Sequence, residues 1–270
     1  MNHVTTSYNY LEEFLDTIRA RGRYAFALQE LKIQFPEVSD KALSQSLYRL
    51  KTKNKIVQIR KEFYTILPPE YANQGMLPAS LFIDDMMNAL QKEYYIGLIS
   101  AAALHGASHQ QSMETYIITK KPALRDIKNK KLKINFFVKS EWNKENLVQI
   151  KSDAGYMNVS SPELTALDLL NYVSGIGMNR VVTILEELVE VITSKDLKKV
   201  AMTYPQKAAI QRLGYLFDEI LDSKKLGTVL YTTINGSKGT NIPLMPGRNK
   251  KGTVNSKWKI IHNINIDSDL

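Results

Sequence analysis

The feature that most constrains the fold is the spacing of three leucines near the N-terminus. Leu43, Leu47 and Leu50 recur at intervals of four and three residues, which places them on one face of an α-helix. Ser39 is a favourable N-cap for this helix, which we expect to run to about Lys53. A helix with one apolar face must pack that face against other elements, so its opposite face is directed to solvent or to a partner.

The segments around this helix complete a known order of elements. Residues 8–20 carry apolar side chains at helical spacing, and a second, short helix is predicted over residues 25–32. After the leucine helix, two short β runs at residues 56–59 and 63–67 flank the turn 60–62 and predict a hairpin. Helix, helix, turn, helix and hairpin in this order indicate a winged helix-turn-helix.

The exposed face of the third helix and the hairpin are basic. The chain has 270 residues and a formal net charge of +9, and residues 41–61 contain seven lysines and arginines without one acidic residue. Clustered positive charge of this kind favours polyanionic partners. The residues predicted to contact double-stranded DNA are Lys41, Ser44, Gln45, Tyr48, Arg49, Lys51, Arg60 and Lys61.

These residue types suit the two kinds of contact that a duplex offers. Glutamine and arginine can pair bidentately with base edges in the major groove, while serine, tyrosine and lysine hold phosphates. We expect Ser44, Gln45, Tyr48 and Arg49 to face bases and phosphates, and the lysines and Arg60 to clamp phosphates. A winged helix can also dock proteins, but an acid-free helix and hairpin favour DNA.

Two further basic regions lie outside this helix and hairpin. For residues 120–139 two interpretations remain: lysines within 128–139 extend the contact with DNA, or the region is a solvated face. The stretch 223–266 contains no acidic residue.

The remainder of the chain predicts a larger mixed domain, and hence an α+β fold overall. Prolines at 68, 69 and 78 mark a connector, so we place a winged-helix domain at residues 1–75 and a C-terminal domain at residues 76–270. Strands are predicted at 115–119, 132–138, 147–151, 156–159 and 257–264. Helices are predicted at 80–90, 98–105, 181–192, 195–204 and 205–221, with one more that Ser161 caps and Pro162 opens. The last third is otherwise expected to be irregular.

Motifs for catalysis or cofactor binding are weak. The absence of cysteine excludes disulfides and thiolate metal sites. His105 and His109 share the i, i+4 spacing of metal ligands, but no HExxH glutamate accompanies them. Residues 175–177 contain two glycines of a dinucleotide fingerprint, yet they follow a helix, so a loop between helices is expected.

Several carboxylates in the C-terminal half could be considered for catalysis. They are Glu163, Asp168, Glu186, Glu187 and Glu190. We interpret them as a solvated acidic helix face, because no convergent base accompanies them. We therefore expect no enzyme activity, no cofactor and no metal. No apolar run is long enough to span a bilayer and no signal peptide is evident, so a cytoplasmic protein without a membrane partner is expected.

Four segments resemble one known family in the same order along the chain. Residues 94–109 (YYIGLISAAALHGASH) are similar to the YYIGLLSAAALHGA block of AbiEi-type antitoxins. Residues 161–169 (SPELTALDL), 210–216 (IQRLGYL), and 243–247 (PLMPG) with NSKWK at 255–259 resemble further blocks. Where many relatives carry PLDP, this chain has Met245 in place of the acid.

The resemblance implies an antitoxin of the abortive-infection, type IV toxin–antitoxin class. Its winged helix would repress its own operon at inverted repeats, and its C-terminal domain would oppose a nucleotidyltransferase-like toxin of the AbiEii type. Whether toxin and antitoxin form a direct complex stays open, as does the choice between a dimer and two monomers cooperating on DNA. No catalytic residues are carried over.

Two alternatives of other classes remain at this point. One is a winged-helix transcriptional regulator whose C-terminal domain senses a small molecule. The other is a DNA-tethered enzyme that uses His105 and His109 to bind a metal.

Overall fold

The protein combines α-helices and β-sheets, which confirms the expected α+β class. The computed structural model describes residues 9–107, 114–236 and 240–266. The chain divides into two compact units. The first unit comprises Met1–Tyr94, Thr119–Val138 and Gln149–Asn158, and the second comprises Tyr95–Ile118, Lys139–Val148 and Val159–Leu270. Compact units are not a test of domain boundaries, so the division at residues 75 and 76 stays a prediction.

The N-terminal part of the first unit contains three helices and a three-stranded sheet. In chain order its elements are α1 (Asn9–Ala20), β1 (Ala25–Ala27), α2 (Leu28–Gln34), α3 (Asp40–Thr52), β2 (Ile56–Arg60) and β3 (Phe63–Ile66). The sheet has the order β1-β3-β2, and both pairings are antiparallel. The predicted hairpin is therefore present, and β2 lies at the edge of its sheet.

A hydrophobic core holds these elements together. Its buried members are Leu11, Leu15, Ile18, Phe26, Leu31, Leu43, Leu47, Leu50, Ile56, Tyr64 and Ile66. The core draws on all three helices and on β1, β2 and β3. The apolar faces predicted for α1 and α3 therefore both contribute to this one core. Burial of a leucine or phenylalanine of this kind contributes about 1.5–3 kcal/mol relative to exposure.

The predicted second helix begins too early. Residues 25–27 form strand β1, which pairs with β3 through Ala25↔Thr65 and Ala27↔Phe63. Phenylalanine favours strands but alanine does not, and a run of three such residues gives no clear local signal, so the pairing with β3 decides the conformation. Helix α2 then begins at Leu28, where the carboxylate of Glu30 accepts a hydrogen bond from the Ala27 N–H.

A second difference concerns the helix expected at residues 80–90. Ser80 lies within a short 3-10 helix, Ala79–Leu81, and helix α4 covers Ile83–Ala89 with Phe82 at its N-cap position. Serine therefore does not cap this helix. Three buried apolar side chains, Ile83, Met86 and Met87, anchor α4 within the first unit instead.

The sheet with the most strands among the described residues has six. They are β4 (Tyr94–Ile96), β5 (Glu114–Thr119), β6 (Ile127–Lys128), β7 (Lys133–Val138), β8 (Leu147–Ser152) and β9 (Gly155–Ser160). Their order is β6-β7-β5-β4-β9-β8. Strands β6 and β7 pair antiparallel, whereas β4 and β9 pair parallel. The four strands predicted between residues 115 and 159 are confirmed, with boundaries that differ by one residue at most.

The second unit is mainly helical. Its helices are α5 (Leu98–Leu104), α6 (Pro162–Asn171), α7 (Val173–Ile176), α8 (Met178–Leu188), α9 (Ser194–Thr203), α10 (Lys207–Glu219) and α11 (Lys224–Thr233). The cap expected at the start of α6 is confirmed, since the Ser161 side chain accepts a hydrogen bond from the Leu164 N–H and Pro162 is the first helical residue.

The C-terminal region differs from the prediction in two places: it contains one helix that was not predicted, and its last strand is shorter than predicted. Helix α11 was not predicted, because its apolar positions are separated by threonines and preceded by a lysine pair. Conversely, the strand expected at 257–264 is limited to β12 (Ile260–Ile261). It pairs with two equally short strands, β10 (Ile242–Pro243) and β11 (Val254–Asn255).

A buried ion pair lies in the second unit. The Lys139 Nζ atom donates to the Asp168 carboxylate at 2.6 Å, and the side chains are 3% and 0% exposed. The hydroxyls of Tyr95 and Tyr204 donate to the same carboxylate at 2.6 and 2.8 Å. The ammonium also lies 4.4 Å from the centre of the Tyr204 ring. Every charge that this cluster removes from water therefore has partners.

Burial and the Asp168 charge both act on the surrounding tyrosines. Burial, followed by repulsion from the Asp168 carboxylate, raises the pKa of Tyr95 and of Tyr204 well above the ordinary value. The same two causes raise the pKa of Tyr172. All three phenols therefore remain neutral at physiological pH, and Tyr95 and Tyr204 stay hydrogen-bond donors to Asp168.

This cluster corrects two expectations from the sequence. Asp168 and Glu163 are buried, so they do not form part of a solvated acidic face. Glu163 accepts a hydrogen bond from the Thr193 N–H at 3.1 Å. Lys139 is buried as well, so it cannot extend a DNA contact from the basic region 120–139.

Within the part of the chain that the structure describes, no helix is both long and apolar enough to cross a bilayer.

We predict that Lys139→Met destabilises the protein by about 3–5 kcal/mol, because it leaves a buried carboxylate without a positive partner. The free energy of unfolding, measured with urea, tests this. Lys199→Met is the matched control, since Lys199 pairs with Glu145 at 2.9 Å on the surface, and it should leave stability unchanged. Equal, small losses in both variants would show that the buried pair contributes no more than an exposed one.

Candidate nucleic-acid interface

The solvent face of α3 carries the residues that the sequence singles out for DNA. The six predicted residues on this helix are all exposed: Lys41, Ser44, Gln45, Tyr48, Arg49 and Lys51. Tyr48 is 69% exposed, which is unusual for an aromatic residue with no apolar partner to cover it. The face is polar, cationic and open to a partner.

The opposite face of α3 fixes its orientation. Leu43, Leu47 and Leu50 are 1%, 3% and 5% exposed. Ser39 accepts a hydrogen bond from the Ala42 N–H at 3.3 Å, as expected of the N-cap. Rotation of the helix about its axis would expose the leucines to water, so the polar face is held outward.

The hairpin is tied to α3 by a side-chain hydrogen bond. The Lys51 ammonium donates to the side-chain Oε1 atom of Gln58 at 2.9 Å, which joins the last turn of α3 to strand β2. The turn consists of Lys61 and Glu62, and Glu62 has a φ of +61°. The Lys61 side chain is 91% exposed and lies 3.9 Å from the Glu62 carboxylate. A pair this exposed leaves Lys61 available to a phosphate.

Arg60 differs from the other predicted residues because it is not freely exposed. Its guanidinium carbon lies 5.9 Å from the centre of the Phe136 ring. The Nη1 atom is buried and has no hydrogen-bond partner among the residues that the structure describes. The Arg60 side chain therefore packs on Phe136 of strand β7 in the same unit. Its role as a phosphate clamp remains a prediction.

Part of the positive charge of residues 41–61 is compensated from outside the segment. Lys55 pairs with Glu12 of α1 at 2.9 Å, and Lys53 lies 3.8 Å from the same carboxylate. The hydrogen bond from Lys55 is the main reason that the pKa of Glu12 lies below its ordinary value. Lys41 and Lys51 form no ion pair within residues 9–107, 114–236 and 240–266, so these two positive charges of α3 are not compensated by a carboxylate there.

The metal hypothesis has little support in the structure. The His105 Nε2 atom lies 2.7 Å from the Ser160 carbonyl oxygen, so this ring nitrogen is already engaged. His109 lies outside the described residues. Where the structure describes side chains, it contains no group of three histidines or carboxylates that could hold a metal ion. The loop expected at residues 175–177 is shorter than predicted: Gly175 lies within α7, whereas Gly177, with a φ of +97°, lies between α7 and α8.

The segments that carry the family resemblance contact one another. Tyr95 of the first block donates to Asp168 of the second at 2.6 Å. In the third block, Gly214 lies against the Trp258 ring of the fourth, and a Cβ at position 214 would overlap that ring. The Gln211 amide donates to the Trp258 carbonyl oxygen at 3.2 Å. The resembling residues therefore maintain the packing of the second unit.

The sequence analysis did not identify the Lys139–Asp168 cluster as a unit. A signal was present, because Asp168 follows Leu164 by four residues and so shares its helix face. A carboxylate on a leucine-rich face predicts burial with a partner. The partner itself could not be identified, since Lys139 is 29 residues away in sequence.

Comparison with known proteins agrees with the resemblance noted from the sequence. Residues 95–219 match the AbiEi antitoxin C-terminal domain. No curated protein matches the chain. A crystal structure of the RV2827C protein from Mycobacterium tuberculosis is similar, with a TM-score of 0.68 at 16% identity, over 97% of this chain and 92% of that one. At this identity the likeness shows a shared fold. Residues 95–219 of this chain are thus similar to the C-terminal domain of AbiEi antitoxins.

Proposed function

We propose that residues 9–67 form a winged helix-turn-helix that binds double-stranded DNA, and that the protein represses its own toxin–antitoxin operon. In this proposal the second unit provides the antitoxin activity and opposes a nucleotidyltransferase-like toxin. The family match over residues 95–219 supports the antitoxin activity. DNA binding is argued from the first unit alone.

The observation that carries DNA binding is the division of α3 into two faces. One face is apolar and buried, whereas the other exposes lysine, arginine, glutamine, serine and tyrosine without a carboxylate after Asp40. Asp40 itself lies at the N-terminal end and pairs with Lys32. A face with three positive charges, neutral hydrogen-bonding side chains and no carboxylate after Asp40 suits a polyanion better than an uncharged protein partner.

The dimensions of α3 suit a major groove. The helix has 13 residues, which gives a length of about 20 Å at about 1.5 Å per residue. The major groove is about 12 Å wide and admits one helix. Gln45 and Arg49 lie four residues apart on the exposed face, so both can reach base edges while the hairpin turn contacts the backbone beside them.

Repression at inverted repeats requires two protomers, one on each half-site. Either a dimer or two monomers that cooperate on DNA would meet this requirement. A positively charged contact surface also makes the affinity depend strongly on salt, because each phosphate contact releases bound counterions.

We predict that Gln45→Ala and Arg49→Ala each weaken binding to the operator upstream of the gene by about 1–3 kcal/mol and reduce the preference for it over random DNA. Lys61→Ala should weaken binding to both sequences alike and lower the slope of log affinity against log salt. Gel-shift titrations on both duplexes at two salt concentrations provide the measurement.

Lys53→Ala is the matched control for these substitutions, because its charge already faces Glu12. It should change the operator preference little. If Arg49→Ala weakened binding to random DNA as much as binding to the operator, base reading by α3 would be wrong.

We further predict that repression and antitoxin activity can be separated. The full-length double variant Gln45→Ala, Arg49→Ala should lose repression of a reporter behind its own promoter, because base contacts are removed. It should still rescue growth when co-expressed from a foreign promoter with the adjacent toxin gene, because the second unit is unchanged. Loss of rescue at equal protein level would show that antitoxin activity needs the DNA-facing surface.

A further inference from the structure

An open cleft lies beside the proposed DNA-binding helix, within the first unit. It has a volume of about 630 Å³ and is bordered by the edge strand β2, by the end of α3 and by Gly75. Three of the side chains that line it are cationic, namely Lys51, Arg60 and Lys61, and no carboxylate lines it. The charge of the cleft therefore favours an anion.

A fourth cationic side chain, that of Lys131, reaches the rim of the cleft from another segment of the same unit. The Lys131 Nζ atom lies against Gly75, so close that a Cβ at position 75 would collide with it. The loop that carries Lys131 is fixed locally, because the Asn129 side chain accepts hydrogen bonds from the N–H groups of Lys131 and Leu132 at 2.9 and 2.8 Å. The backbone of Lys131 is thus fixed by its own turn, and its side chain extends to Gly75.

The positive charge of Arg60 is held in place as well. Its guanidinium lies over the Phe136 ring, and its Nη1 atom has no hydrogen-bond partner in the described part of the chain. A buried, unpaired guanidinium nitrogen carries a desolvation penalty, which a nearby anion reduces. The cleft therefore combines a fixed guanidinium with ammonium groups on its walls.

We propose that this cleft is a phosphate-binding site, in which Lys131 and Lys51 hold a phosphate group within the field of Arg60. The proposal rests on the proposed DNA binding where the phosphate belongs to a duplex backbone, and it extends the contact beyond α3 and the hairpin. A free phosphorylated compound would present the same chemistry, and the experiment separates the two sources.

Lys131 provides the decisive test, because the proposed function makes no use of it. Lys131→Ala should lower the slope of log affinity against log salt for duplex DNA by about 0.9, the value for one lost phosphate contact. Lys130→Ala is the matched control: Lys130 is exposed in the same loop, but the side-chain atoms nearest to Gly75 belong to Lys131, so the slope of this variant should equal that of the wild type. Fluorescence anisotropy with a labelled operator duplex measures both slopes.

The second arm uses pyrophosphate as the probe, with no DNA present. If the site serves a free phosphorylated compound, isothermal titration should show binding to the wild type and to Lys130→Ala, and an affinity at least tenfold lower for Lys131→Ala. Salt slopes for duplex DNA would then be unchanged in both variants.

The two arms decide the proposal. A reduced slope for Lys131→Ala alone supports a backbone phosphate, and selective loss of pyrophosphate binding supports a free compound. Equal effects of Lys130→Ala and Lys131→Ala, or no effect of either in both arms, would overturn the site. A wild-type protein that binds no duplex at low salt would refute the proposed function, and the pyrophosphate arm would still test the cleft.

Discussion

Leu43, Leu47 and Leu50 are removed from water by packing against α1, α2 and the three-stranded sheet, and this contact determines the orientation of everything around it. Deleting one such side chain costs about 2–5 kcal/mol, a large part of the stability of an ordinary domain. Because the leucines occupy the buried face of α3, the cationic residues on the opposite face are directed to solvent. The buried face thus determines the surface that we propose for DNA.

Much of the first unit follows from local patterns. Helical periodicity predicts α1 and α3, and alternation around a short turn predicts the β2–β3 hairpin. Strand β1 could not be predicted, because Ala25, Phe26 and Ala27 take their conformation from pairing with β3. Helix α11 was missed for a different reason: its threonines and lysines weaken the periodic signal, while Leu226 and Leu230 bury its inner face. In both cases tertiary contacts outweigh local preference.

The candidate site was predicted in part. The exposure of the α3 residues follows from the leucine pattern, and the structure agrees with it. The position of Arg60 does not follow, because Phe136, on which its guanidinium lies, is 76 residues away. Likewise, the sequence suggested a solvated Asp168, although Lys139, Tyr95 and Tyr204 surround it. Long-range partners decide the environment of a charged residue, and one sequence without its fold does not reveal them.

Two side-chain contacts hold the hairpin in place: Lys51 donates a hydrogen bond to Gln58, and the Arg60 guanidinium lies over the Phe136 ring. These two contacts fix the position of strand β2 of the hairpin. The hairpin and α3 therefore present one preformed surface. Ordering a flexible segment on contact costs about 0.5–1.5 kcal/mol for each immobilised side chain. A preformed surface avoids much of this entropic cost of binding. The free energy of its contacts can then contribute to discrimination between one polyanion and another.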